Sequence, residues 1–173
     1  MIEDINNASG PEEWEQRLAE LWSSVDEHSE GEFVKQMVLL VSELPAEHPV
    51  ALFEHAGSLD STGNSDMAVD LYRKSLAQGL EGHRRRQAII QLASSLRNIG
   101  QAEESVRLLK AEMEAGSDEL DDAIIAFLAL ALVDTGQELA AVSLCLEALS
   151  HHLPRYRQSV ARYARLLHPG SSS

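Results

Sequence analysis

The chain is poor in the features that mark most catalytic or secreted proteins. Of its 173 residues only one is cysteine, Cys145. That excludes an internal disulfide and fits a reducing cytoplasm. Bases are scarce, 14 Lys and Arg against 28 Asp and Glu, for a net charge of -14. Such a balance argues against general affinity for nucleic acid or an anionic membrane, since both require a basic face. No apolar run approaches the roughly 20 residues needed to cross a bilayer. The acidic start, Met1-Ile2-Glu3-Asp4, has no basic stretch leading into an apolar one and does not read as a secretory signal. Alternating runs of β-branched and aromatic residues bounded by hairpin turns are nearly absent, which removes the strand-based folds. A hydrophobic content of 44% excludes wholesale disorder, and the length suits one domain with a continuous core.

The charge is unevenly spread. Residues 1–48 carry a balance of -10, residues 49–150 one of -8, and residues 151–173 have four arginines (Arg155, Arg157, Arg162, Arg165) and no acid. An acidic front and a basic tail allow two copies to meet head to tail, or the tail to bind an acidic partner. Solvated faces that keep the protein soluble account for the same distribution.

Helical periodicity is present throughout and recurs at a fixed spacing. Gly63, Gly100 and Gly136 stand 37 and 36 residues apart, and the same residue classes flank each. Upstream come Leu52, His55-Ala56 and Leu59; then Ile89, Leu92-Ala93 and Leu96; then Ile125, Leu128-Ala129 and Leu132. Downstream come Ala68 and Tyr72, Ser105 and Leu109, and Ala141 and Cys145. Large residues at three- and four-residue steps make one apolar stripe per helix. The small ones mark where two helix backbones approach, and each glycine supplies the left-handed residue that ends a helix. Each unit is a helical hairpin that cannot bury its faces without neighbours.

This pattern resembles the tetratricopeptide repeat, over residues 49–154, in three units placed at 49–85, 86–121 and 122–154. The usual helix A Trp, Gly and Tyr are missing, His55 replaces a Leu, and only the third unit ends on the expected proline, Pro154. The segments beginning Pro49-Val50-Ala51 and Ile90-Gln91-Leu92, with Leu153-Pro154-Arg155-Tyr156, are similar to a small bacterial stand-alone tetratricopeptide family of the group 5 type. The resemblance implies a bacterial setting, a stand-alone homodimeric repeat protein and no catalysis. The fold expected is all-α, a right-handed stack of helical hairpins.

Residues 1–48 read as an amino-terminal helical hairpin that caps the stack, with a degenerate first repeat as the alternative. Its helices are expected from Pro11 to about Asp26 and from Glu32 to Leu44. Residues 155–168 read as a terminal capping helix with Tyr156, Val160, Tyr163 and Leu167 inward and Arg155, Gln158, Arg162 and Arg165 outward, and residues 169–173 as a frayed tail.

Chemistry is hard to find in these residues. No pair of the seven histidines has the one-turn spacing of a metal helix, and His151-His152 fit the carboxyl end of a helix, where imidazolium is favoured. No nucleophile elbow or phosphate loop is present, Gly79–Gly82 reads as a turn, and Cys145 is expected to be a buried inert thiol. No enzyme activity, cofactor or metal is therefore expected. His55 reads as a core histidine with a hydrogen-bond partner or, failing that, a ligand contact.

The first helices of such a stack line a concave groove. The groove residues are expected to be Phe53, Asp60, Ile90, Ser94, Arg97, Asn98, Leu130 and Asp134, with Gly57 and Gln87 beside them. Arg97 and Asn98 could anchor an acidic or carboxylate-bearing peptide, or Arg97 could pair with Asp60 or Asp134. Arg84-Arg85-Arg86 opens a helix, where the macrodipole disfavours cations. Compensation by Glu81 or by the acidic hairpin of another copy, docking of an anionic partner and simple solvation all remain open. Together with Arg155, Arg162 and Arg165 these residues form a possible electrostatic docking set. The function expected is a non-catalytic, cytoplasmic protein-interaction module that binds a partner's peptide or helix in the groove. The alternative is a self-associating homodimer without a separate ligand, joined through charge or through an apolar end helix.

Overall fold

The computed structural model describes residues 10–167; the expected frayed tail and the first nine residues lie outside them. The described residues are all-α: α1 (Pro11–Ser23), α2 (Glu30–Val41), α3 (Pro49–Ser61), α4 (Ser65–Ala77), α5 (Gly82–Asn98), α6 (Ala102–Ala115), α7 (Asp121–Asp134), α8 (Glu138–His152) and α9 (Arg157–Leu166), with one 3-10 turn at Val25–Glu27. Prolines at the first position start α1 and α3, and the Ser29 hydroxyl caps α2 by accepting the Glu32 N–H.

The three repeat glycines have φ of 81, 80 and 72°. The residue after each donates its N–H to the carbonyl four before the glycine: Asn64 to Leu59 at 2.9 Å, Gln101 to Leu96 and Gln137 to Leu132 at 2.8 Å. These bonds satisfy helix-end carbonyls and fold α3–α4, α5–α6 and α7–α8 into equivalent hairpins. Ala56, Ala68 and Ala93 are wholly buried at the expected close approaches. Successive first helices also touch, α3 with α5 and α5 with α7, and so form the inner wall of the stack.

Three clusters make up the core. The first belongs to the amino-terminal hairpin and is built from Trp14, Leu18, Phe33 and Met37, with Trp14 Nε1–H donating to the Leu40 carbonyl at 3.0 Å. The second centres on Tyr72, Leu92 and Leu96, the third on Leu109, Leu128 and Leu132.

Several expectations need correction. α1 stops at Ser23 and α2 spans Glu30–Val41, because the Ser29 cap starts α2 early. α5 begins at Gly82, so the first repeat ends before the arginine triplet and not at residue 85. Cys145 is exposed. In α9 the buried residue is Ala164, while Tyr156 and Tyr163 are 76% and 56% exposed. Tyr156 takes a left-handed φ of 67° that turns the chain after Pro154, and α9 lies on a different side of α8 from the one a following repeat would use.

Gly100→Ala should lower stability by about 1 kcal/mol in urea titration, because alanine is strained at positive φ. Gly31→Ala should raise it by about 0.5 kcal/mol, since Gly31 is helical and a Cβ there meets nothing within 4 Å.

Candidate functional site

A cleft of about 500 Å³ lies where the amino-terminal hairpin overhangs the inner wall. One face of α1 supplies Glu15, Leu18, Ala19 and Trp22, at helical spacing. α3 supplies Phe53, Glu54 and Gly57, and α5 supplies His83, Arg84, Gln87 and Gln91. Gly57 permits the approach of α1: a Cβ there would lie 3.2 Å from the Trp22 ring. Trp22 in turn packs edge-on against Phe33, with ring centroids 5.2 Å apart.

A buried charge network forms one wall. Glu54 is 5% exposed and accepts hydrogen bonds from Trp22 Nε1–H at 2.9 Å and Arg84 Nε–H at 3.0 Å. Arg84 also donates two bonds to Glu15, at 2.9 and 2.5 Å. Burial pushes the Glu54 carboxyl above the ordinary glutamate value, and Trp22 and Arg84 offset this only in part. The Glu15 carboxylate holds the Arg84 guanidinium above its usual range.

Two buried polar atoms in this region lack a partner. The Gln91 Oε1 is buried without a donor, and so is the hydroxyl of Tyr72 without an acceptor. That hydroxyl lies 3.8 Å from the position a Cβ on Gly57 would take, beneath the cleft floor. Burial, with Asp60 and Glu54 nearby, pushes its pKa well up, so it stays a neutral donor.

Of the groove residues expected from the sequence, Phe53, Gly57 and Gln87 border the cleft, and Phe53 is 5% exposed. Ile90 is buried in the third core cluster, and Ser94 is half-buried. Asp60 accepts from the Ser65 hydroxyl at 2.7 Å, and Asn98 donates to that hydroxyl at 3.4 Å. Arg97 pairs with Asp134 at 2.5 Å. These four polar residues join neighbouring helices. Leu130 is 46% exposed, further along the stack.

The arginine triplet finds its counter-charges within the chain. Arg84 takes Glu15 and Glu54, Arg85 forks onto Glu112 at 2.9 and 3.1 Å, and Arg86 meets Asp121 at 2.6 Å and Asp118 at 3.2 Å. The acidic hairpin does contribute, but from the same copy, and Glu81 is not among these partners. In the tail, Arg165 lies 3.7 Å from Glu147, the Arg162 guanidinium stands 5.1 Å from the Tyr163 ring centre, and Arg155 is exposed. His55 is half-buried with its pKa lowered by burial, and His152 sits 2.9 Å from Asp122. His83, Asp118 and Glu119 cluster on the surface, with Asp118 already paired to Arg86.

The α1 face of the cleft was the part missed from the sequence. Its signal was Gly57, a mid-helix glycine where the other repeats carry Ser94 and Leu130, which implies that something bulky presses on that point.

The family model for the tetratrico peptide repeat matches residues 49–167. The chain belongs to this family. No curated protein and no solved structure matches it. Tetratricopeptide membership points to a protein–protein interaction module, and such families are generally non-catalytic. Among the described residues no helix is long and apolar enough to cross a membrane.

Arg84→Ala should destabilise this tetratricopeptide stack by about 2–3 kcal/mol in denaturant titration, because it strands the buried Glu54 charge. Adding Glu54→Gln should restore at least about half of that loss. The sign with pH follows from Glu54's raised pKa, since the folded state holds its proton more tightly than the unfolded chain. Wild type should therefore lose stability relative to Glu54→Gln as pH rises from about 4.5 toward 7.

Proposed function

We propose that the cleft between α1, α3 and α5 binds an extended segment of a partner polypeptide. The observation that carries this reading is the buried, donor-less Gln91 Oε1 in the cleft wall. A buried acceptor left without a donor costs about 1–3 kcal/mol, and turning the Gln91 side chain into the cleft, where a peptide N–H can donate to it, removes that cost. Gln87 lies one turn away on the same face of α5, about 6 Å along the helix, so the two amides can read alternate peptide groups of an extended chain. Leu18, Trp22 and Phe53 supply the apolar wall for one side chain of the ligand. Arg84 is neutralised by Glu15 and Glu54, which leaves one net negative charge in that network and favours neutral or basic ligands over acidic ones. This differs from the carboxylate-binding role considered for Arg97, whose charge is taken by Asp134.

Peptides selected from a displayed random library against the whole protein test the reading. Trp22 in the cleft provides a fluorescence signal for affinity. Selected peptides should bind about tenfold more weakly to Gln91→Ala and about 100-fold more weakly to Ala19→Trp, which fills the cleft from an exposed helix position. Peptides that bind all three forms equally, or a selection that enriches none, would sink it.

Self-association as a homodimer is a second reading, favoured by the apolar side chains left uncovered at the far end of the stack, among them Leu130, Val142 and Leu149.

A further inference from the structure

Comparing equivalent positions along the stack locates a surface the repeats normally cover. Six and nine residues after the glycine, the first two repeats have Val69 with Tyr72 and Val106 with Leu109, all buried under the next helix. The third repeat has Val142, 46% exposed, and Cys145, also exposed. Six residues before the glycine, Gly57 is buried and Ser94 half-buried, whereas Leu130 is 46% exposed. Three before it stand Asp60 and Arg97, and then Val133, which is 47% exposed. The last repeat is thus most apolar where it is least covered.

α9 does not close this face. It docks through the Ser143 hydroxyl, which donates to the Ala164 carbonyl at 2.8 Å, and through Arg165 near Glu147. The positions equivalent to Ser143 and Glu147 in the other repeats, Asp70, Lys74, Arg107 and Ala111, face solvent. Gln158 and Arg165 of α9 turn toward Glu147 and His151, so Tyr163, on the opposite flank of α9, lies on the Val142 side. Leu130, Val133, Val142, Cys145, Leu149 and Tyr163 therefore share one end of the molecule.

We propose that a second copy of this chain covers this end in a two-fold homodimer, in which the α9 edge of each protomer seats on the α7–α8 face of the other. This rests on the self-association reading above and adds its location. Charge selects the occupant. The apolar face is bordered by the exposed Glu138, while α9 carries Arg162 beside Tyr163, so a two-fold axis sets basic α9 against Glu138 twice. The acidic amino-terminal hairpins stay at the far ends. A head-to-tail contact would instead leave the same apolar end open on the last copy and grow without closing.

Sedimentation equilibrium of the full chain, with Leu39→Glu as control, tests the proposal. Leu39 is 62% exposed on α2, at the other end. Wild type and Leu39→Glu should run at twice the chain mass, at low salt and in 1 M NaCl. Val142→Glu and Leu130→Glu should weaken dimerisation about 100-fold, since each charge enters the interface twice, with unchanged helicity. Cys145 alkylation in wild type should be at least about tenfold slower above the dimer dissociation constant than in Val142→Glu. A monomeric wild type overturns both the dimer and its placement. A dimer untouched by Val142→Glu and Leu130→Glu leaves self-association standing but overturns this face. Mass that climbs with concentration and falls with Leu39→Glu assigns a head-to-tail contact instead.

Discussion

Three consecutive arginines at the start of α5 hold the upper half of the molecule together. Cations at a helix amino terminus oppose the macrodipole, so the triplet is unfavourable on its own. It is tolerated because carboxylates from five places reach it: α1 through Glu15, α3 through Glu54, α6 through Glu112, the α6–α7 connection through Asp118 and α7 through Asp121. Side chains leaving one turn of one helix fan out to neighbours on both sides. The position of the amino-terminal hairpin depends directly on this, since the Arg84–Glu15 fork is one of the two polar ties between α1 and the inner wall. The other is Trp22 to Glu54. The partial burial of Arg84 and the near-complete burial of Arg86 and Glu112 make removal of one partner costlier here than in a surface pair of the same geometry.

The cleft follows from that arrangement. An overhanging α1 turns one part of a shallow inner wall into a concavity with a roof, and the glycine at position 57 sets how low the roof sits. A larger residue would lift Trp22 and disturb both the edge-on contact with Phe33 and the bond to Glu54. Orientation, apolar contact and orphaned amide chemistry thus coincide where the front hairpin meets the first two repeats. The polar groove further along is consumed in joining repeats, Arg97 to Asp134 and Asn98 to Ser65.

The repeat was legible in the sequence because its determinants are local. A glycine at positive φ, a small residue at a close approach and a stripe at three- and four-residue steps each leave a mark within one hairpin. The site was less legible because its contacts are distant in sequence. Arg84 meets Glu15 across 69 positions, and nothing in either segment names the other. Phe53 and Ile90 have the spacing of groove residues, but neighbouring helices bury most of both side chains in the core clusters. Cys145 and Tyr163 failed for one shared reason: the turn at Tyr156 moves α9 off the stacking axis, so residues patterned for burial face out. A non-glycine residue at positive φ is hard to foresee from pattern alone.

The division of the core into three clusters bears on how the molecule comes apart. Val50 packs against both the amino-terminal and the second cluster, and Leu108 against both the second and the third. Cooperativity between neighbouring units passes through a few such shared side chains, so the chain behaves as a short one-dimensional array whose end units open before its centre. Amide hydrogens of α4 and α5, flanked on both sides, are expected to exchange last, and those of α8 and α9 early. A single melting midpoint therefore averages over units of unequal strength, and its sharpness reports how well Val50 and Leu108 couple them.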